Sequence, residues 1–171
     1  MMIDLRPPTT DLVASYLDAI AEMRALGETI WEGMVPRASE SPVEFVHRLL
    51  IGEHSPEPGL VQASTFWAVV DATVVGRIAL RHHLNASLEE LGGHIGYEVR
   101  PSYRRQGIAK AMLRQLLALP KAKEIGRLLL TCAPDNTAST KTILANGGVL
   151  ERTAFGRRLQ RWTSYYWIDL R

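Results

Sequence analysis

The feature that most constrains this chain lies between His94 and Lys110, where a β-branched and aromatic run passes through a proline turn into a helix entered by glycine. His94-Ile95-Gly96-Tyr97-Glu98-Val99 has the composition of a strand, and Arg104-Arg105-Gln106-Gly107-Ile108-Ala109 leads into the helix. The first N–H groups of a helix have no partner inside it, and the dipole is positive at that end, so anions settle there. Gly107 and Ala109 leave the backbone bare, while Arg104 and Arg105 bring planar forks suited to phosphate oxygens. Strand, basic hinge and bare helix start together predict a phosphate cradle. Its spacing, Arg-x-x-Gly-x-Ala, is neither Gly-x-x-x-x-Gly-Lys-Ser/Thr nor Gly-x-Gly-x-x-Gly.

Short alternating elements surround this stretch. Ile3 to Arg6 is a first strand stopped by Pro7-Pro8, because proline cannot donate to a ladder. A helix starts at Thr10 or Asp11, carries Leu12, Tyr16, Ala19, Ile20 and Met23 on one face, and closes at Gly27. The periodicity fails from Glu28 to Glu40. Ser41-Pro42-Val43-Glu44 reads as a cap, a first-turn proline and a capping-box acid, opening a helix through Phe45, Leu49 and Leu50. A loop covers Gly52 to Gly59. Thr65 to Asp71 and Thr73 to Arg81 form a hairpin turning near Asp71-Ala72. Asn85 to Leu91 is a polar connection, and the central strand begins near Gly92.

Beyond the cradle, Ala109, Met112, Leu113 and Leu116 share a helix face, and Pro120 kinks or splits that helix. Gly126 ends it, and Arg127 to Cys132 is a buried strand. Asp135 or Asn136 caps the next helix, which Gly147-Gly148 stops. Val149 to Ala154 and Gln160 to Asp169 are the last two strands. The order β-α-α-β-β-β-α-β-α-β-β predicts one α/β domain over residues 1–171, with a mixed, mostly antiparallel central sheet and helices on both faces.

Composition removes several function classes. The net charge is +2, with basic residues scattered and paired only at Arg104-Arg105 and Arg157-Arg158, which argues against a nucleic-acid partner. A single cysteine, Cys132, leaves no internal disulfide and no cysteine zinc cage. His82 and His83 point opposite ways along a strand, and His47 and His54 lack ligand-spaced partners, so no metal is expected. No apolar run approaches the ~20 residues that span a bilayer, and no signal peptide opens the chain, so a cytoplasmic protein without a membrane partner is expected.

The motif Arg104-x-x-Gly107-x-Ala109 resembles the Arg/Gln-x-x-Gly-x-Gly/Ala motif of the GNAT superfamily of N-acetyltransferases, and the element order is also that superfamily's. Thr131-Cys132-Ala133-Pro134-Asp135-Asn136-Thr137-Ala138-Ser139, Ala145-Asn146-Gly147-Gly148-Val149-Leu150-Glu151 and Tyr166-Trp167-Ile168 look like a subgroup of predicted bacterial acetyltransferases. The likeness runs from about Trp67 to Ile168 and is poor over the first 60 residues, where relatives place acceptor-binding helices. It implies an acetyl-coenzyme A-dependent transfer of acetyl to a primary amine. It also implies that Arg104, Arg105, Gln106, Gly107, Ile108, Ala109 and Lys110 hold the pyrophosphate. Val99 then stands on a strand splayed from the next around the acyl and pantetheine end. Asn136 meets the pantetheine arm, with Ser139 counted beside it.

Direct transfer needs an acceptor amine that has lost its proton, so a base is expected near the splayed strand. Glu98 and His94 are the ionisable candidates, and Tyr97 is the neighbouring polar one. Alternation puts Tyr97 and Val99 on one face and His94, Gly96 and Glu98 on the other, unless a bulge such as relatives carry resets the register. Where many relatives have an acid tyrosine seven residues after the asparagine, this chain has Ile143, which leaves Tyr166, Tyr165, Tyr103 or water. Cys132 reads as a core residue, and Trp67, Trp162 and Trp167 as core or interface aromatics. Trp31 lies where relatives shape the acceptor pocket, and the aromatic tail from Trp162 to Trp167 is a candidate homodimer surface. A non-catalytic acyl-coenzyme A sensor is the alternative reading.

Overall fold

The computed structural model describes residues 2–156 and 160–171, so the pair Arg157-Arg158 lies outside the described residues. Its strands form two antiparallel sheets. The first has the order β1 (Asp4–Arg6), β2 (Ala63–Val70), β3 (Thr73–Arg81), β4 (Ile95–Val99), and the second β5 (Arg127–Cys132), β7 (Arg161–Asp169), β6 (Val149–Gly156). The mostly antiparallel sheet of the sequence reading is present in two parts, which open between β4 and β5 as the splayed strand implies.

Helices cover both faces. α1 (Val13–Ala25) and α2 (Pro42–Ile51) lie on one side, where Leu12, Tyr16, Ile20, Phe45 and Leu49 pack on Trp67, Val69 and Val74. α4 (Ile108–Leu117) lies on the other, burying Met112, Leu113 and Leu116 with Ile78, Leu80, Ile95, Leu128, Leu130 and Ile168. That second core draws from both sheets. Full burial of each such side chain contributes ~1.5–3 kcal/mol, so packing under α4 joins the halves that the ladders leave apart.

Local chemistry explains most boundaries. Ser41 and Glu44 make the expected reciprocal capping box on α2. Pro120 splits the helix, ending α4 at Leu117 and starting α5 (Pro120–Ile125) at its own first position. Asp71 and Ala72, at φ 45° and 62°, turn the hairpin as expected. Four expectations are corrected. Thr10 starts a single 3-10 turn, Thr10–Leu12, and α1 begins only at Val13. The polar connection folds into α3 (Ala86–Glu90), because Asn85 caps the Leu88 N–H at 3.0 Å. β4 starts at Ile95, since Gly92 and Gly93 turn left-handed at φ 109° and 61°. β6 runs on to Gly156.

Candidate active site

β4 is the outer strand of its sheet, and its free edge faces β5. The Arg100 N–H donates to Val75 O at 2.9 Å, so the even-numbered residues of β4 spend their backbone groups on β3. Alternation then turns the N–H and C=O of Tyr97 and Val99 outwards into the gap. The β3–β4 register runs unbroken from Leu80↔Ile95 to Gly76↔Val99, so no bulge resets the alternation along β4. The bulge lies instead in the hairpin, between Ala68 and Val69.

His94 closes the gap at one end. Its N–H donates to Leu129 O at 2.7 Å, and its Nδ1 accepts from the Leu129 N–H at 2.9 Å. The ring is buried, which lowers its pKa to about 4, with Arg81 pushing the same way. Nδ1 is therefore an occupied acceptor and Nε2 carries the proton. This corrects the role given to His94: it is a clamp between β4 and β5, poorly suited to take a proton from an amine. Gly93 belongs to the same joint, since a Cβ there would lie 2.3 Å from Leu129 O.

At the other end of β4 stands the basic turn. Gly107 sits at φ 80° and Arg105 at φ 61°, a conformation that costs a non-glycine residue ~1–2 kcal/mol. Gly107 offers no side chain to cap α4, and the first backbone bond across the helix start is Ala111 N–H to Gly107 O at 3.0 Å. No hydrogen bond among the described residues uses the N–H of Arg105, Gln106, Gly107, Ile108, Ala109 or Lys110. A helix of ten residues thus begins with its donors bare, behind two left-handed residues that curl the backbone around them.

The two arginines of the turn behave differently. Arg105 is exposed, with its fork open to an anion. Arg104 is committed: Nε donates to Val99 O at 3.0 Å, and its two terminal nitrogens donate to the Glu28 carboxylate at 2.6 and 2.8 Å. This pairing lowers the pKa of Glu28 and raises that of Arg104. Glu22 of α1 makes a parallel attachment, accepting from Arg100 Nε at 2.7 Å and from the Ser102 N–H at 3.0 Å. The free Arg104 fork of the sequence reading is corrected to a fork already held by a carboxylate.

Across the gap, Asn136 caps α6 (Thr137–Leu144) by accepting the Ser139 N–H at 3.0 Å, which leaves its amide N–H₂ to donate. The Tyr97 hydroxyl lies 2.8 Å from Ser139 Oγ, so a β4 side chain meets the first turn of α6. Burial raises the Tyr97 pKa. Tyr166 is buried in β7 with its hydroxyl 3.2 Å from Thr140 Oγ1, and Thr140 in turn lies 3.7 Å from Cys132 Sγ. Ile143 is buried core, packed under Gly148. Tyr165 donates to Glu90 O at 2.8 Å.

Glu98 lies on the opposite face of β4, directly across from Arg77 of β3. Arg77 Nε is 2.5 Å from one carboxylate oxygen, and its NH2 group donates to the other at 2.8 Å. Arg77 is buried, and Glu98 keeps 34% of its side-chain surface exposed. Trp31 is half exposed on the flank of the α1 side, where it lines a cleft of about 330 Å³ with Arg37, Glu57, Pro58 and Leu60. The structure thus brings Val99, Tyr97, Ser139, Asn136 and the turn to one gap, and sets Glu98 and Trp31 on the other side of the sheet. Glu22, Glu28, Arg77 and Arg100 escape the sequence reading, which carries no signal for contacts so distant along the chain.

The family model described as the Acetyltransferase (GNAT) family matches residues 25–146, well over half of the chain. The chain belongs to the GNAT acetyltransferase family. Among solved structures, the microcin C7 self-immunity acetyltransferase MccE, in complex with acetyl-CoA and AMP, is 17% identical with a TM-score of 0.72, covering 98% of this chain and 92% of that one. The ribosomal-protein-S5-alanine acetyltransferase of Vibrio fischeri is 17% identical with a TM-score of 0.70, covering 99% and 93%. A putative ribosomal-protein-serine acetyltransferase of Vibrio cholerae is 22% identical with a TM-score of 0.65, covering 98% and 93%. At these identities the likeness shows the GNAT fold. No curated protein matches the chain in sequence. The GNAT match spans β4, the turn, β5 and the Asn136 cap, so the gap described above lies inside the matched region. Among the described residues no helix is long and apolar enough to cross a membrane.

Proposed function

We propose that this GNAT protein is an acetyl-coenzyme A-dependent N-acetyltransferase that transfers acetyl to a primary amine by direct attack in a ternary complex. The observation that carries the reading is the row of bare N–H groups from Arg105 to Lys110 at the mouth of the gap between β4 and β5. These donors, with the Arg105 side chain, hold the diphosphate. The Asn136 amide and Ser139 lie along the pantetheine arm, and the outward N–H groups of Tyr97 and Val99 polarise the acyl carbonyl. The co-substrate supplies the activated acyl group, and the protein supplies position and electrostatics. Two solved relatives, MccE in complex with acetyl-CoA and AMP and the ribosomal L7/L12 acetyltransferase RimL in complex with coenzyme A, support the same choice.

Glu98, approached from the α1 side, takes the amine proton directly or through water. Tyr97, protonated and hydrogen-bonded to Ser139, stands nearer the gap than Tyr166 and is the better candidate to return a proton to the leaving thiolate. Trp31 shapes the acceptor cleft, and Trp162, the exposed end of the aromatic tail, is where a second copy would meet this chain in a homodimer. The sensor reading, binding without turnover, draws support from one observation: Arg77 already holds both oxygens of Glu98.

Calorimetric titration of acetyl-coenzyme A into the wild type and into Gly107→Trp tests the cradle. An amine panel that includes peptide N-termini and small amines, read by free thiol release, tests the chemistry. Tight binding lost in the variant, with thiol released for one amine class, is the expected result. Binding with no turnover on any amine favours the sensor, and no binding to the wild type overturns the cradle.

A further inference from the structure

The cofactor turn is attached to the α1 side by two carboxylates that hold it in different ways. Glu22 takes Arg100 Nε and the Ser102 backbone N–H, fixing the main chain of the turn. Glu28 touches only a side chain, filling both terminal nitrogens of Arg104, while Arg104 Nε stays on Val99 O. Losing the Glu28 contact would leave the turn anchored through Glu22, so Glu28 is not needed to hold it in place.

We infer that Glu28 is a positioning residue that competes with the diphosphate for Arg104, so that filling the cradle moves the Arg104 fork off Glu28 and frees the segment leading to Trp31. This rests on the cradle reading above. Arg104 is three residues before Gly107, in the turn that leads into the bare helix start. Both partners are about one-third exposed, at 38% and 35%, and a pair so wetted is weak enough to be exchanged. A diphosphate outbids it: it carries more charge than a carboxylate and gains from the α4 dipole at the same time.

The competition reaches the acceptor side. Glu28 is three residues before Trp31, in a stretch whose only regular element is the 3-10 turn Glu32–Met34. The Glu28 backbone is tied back to α1 through Met23 O at 3.1 Å, so α1 stays put and the release passes forward along the chain. Cofactor binding thereby loosens the segment that lines the Trp31 cleft.

The test titrates coenzyme A into the wild type, Glu28→Gln, Arg104→Ala and the double variant. Glu28→Gln binds about five- to tenfold more tightly, Arg104→Ala binds more weakly, and Glu28→Gln adds nothing on the Arg104→Ala background. A residue that only braces the turn would weaken binding when changed, so weaker or unchanged binding in Glu28→Gln overturns the inference. Should Glu28→Gln fold poorly, Glu28→Ala tests the same sign. As a second readout, Trp31 emission, isolated by difference from Trp31→Phe, shifts on adding coenzyme A to the wild type and is already shifted in Glu28→Gln alone. Absence of that shift in the wild type overturns the link to the acceptor side. Failure of the wild type to bind coenzyme A overturns the cradle reading itself, a result separate from either of these.

Discussion

Two strand-to-helix corners flank the gap, and they are finished in opposite ways. The corner from β5 into α6 is closed locally: Asn136 N–H bonds Ala133 O at 3.0 Å, Thr137 N–H bonds Asp135 O at 2.8 Å, and Asn136 caps Ser139. The corner from β4 into α4 has no side-chain cap, leaves its donors bare, and is fastened by carboxylates about 80 residues upstream. A capped helix start can stand alone. An uncapped one held from a distance is arranged for an anion from outside.

The strongest way to break this comparison is to put a side chain at two left-handed glycines, one at the start of α4 and one past the far end of α6. Gly107→Val should weaken coenzyme A binding by more than about a hundredfold, whereas Gly147→Val, at φ 83° beyond the end of α6, should leave affinity within about twofold despite a similar backbone cost. Parallel calorimetry and melting curves separate the two effects. Equal losses of affinity would sink the distinction.

Next in size is the chemistry behind the gap. Glu98→Gln should lower kcat about a hundredfold or more while leaving the coenzyme A affinity little changed, as expected of a base that never touches the cofactor. Loss of affinity without loss of kcat would place Glu98 among the cofactor ligands instead.

The clamp supplies a pH test. Burial lowers the His94 pKa to about 4 from an ordinary 6.5, so the unfolded chain binds the proton more readily. The stability tied to neutral His94 is fully present above pH 6.5 and is lost as pH falls through the window from 6.5 to about 4. His94→Asn, whose amide oxygen can still accept from Leu129 N–H, should flatten the melting-temperature profile in that window. A profile as steep as the wild type's would show that other groups carry the loss. The smallest effect belongs to the closed corner: Asn136→Ala should cost ~1 kcal/mol of stability in denaturant titration and only a few-fold in coenzyme A affinity.

The glycine-led helix start at Gly107, the capping box, the hairpin turn and the Pro120 split were all legible in the sequence, because each is decided by residues within a few positions of one another. The contacts that assign roles were not. His94 meets Leu129 across 35 residues, Arg77 meets Glu98 across 21, and Arg104 meets Glu28 across 76. Such pairs depend on strand register and helix docking, which period and composition do not fix. Hence Arg104 and His94 were identified without the partners that the fold gives them, while Glu28, in a stretch without periodicity, had nothing to mark it.

β6 is an edge strand, with Val149 and Leu150 exposed at 68% and 50%, a profile that could template the stacking of further chains. Its register slips between Leu150 and Arg152, so Glu151 stands out of the ladder as an extra residue. That slip bends the strand and sets two charges in the middle of an apolar edge, cutting it into pieces too short to nucleate a growing sheet. The edge can therefore stay greasy without becoming a seed for aggregation.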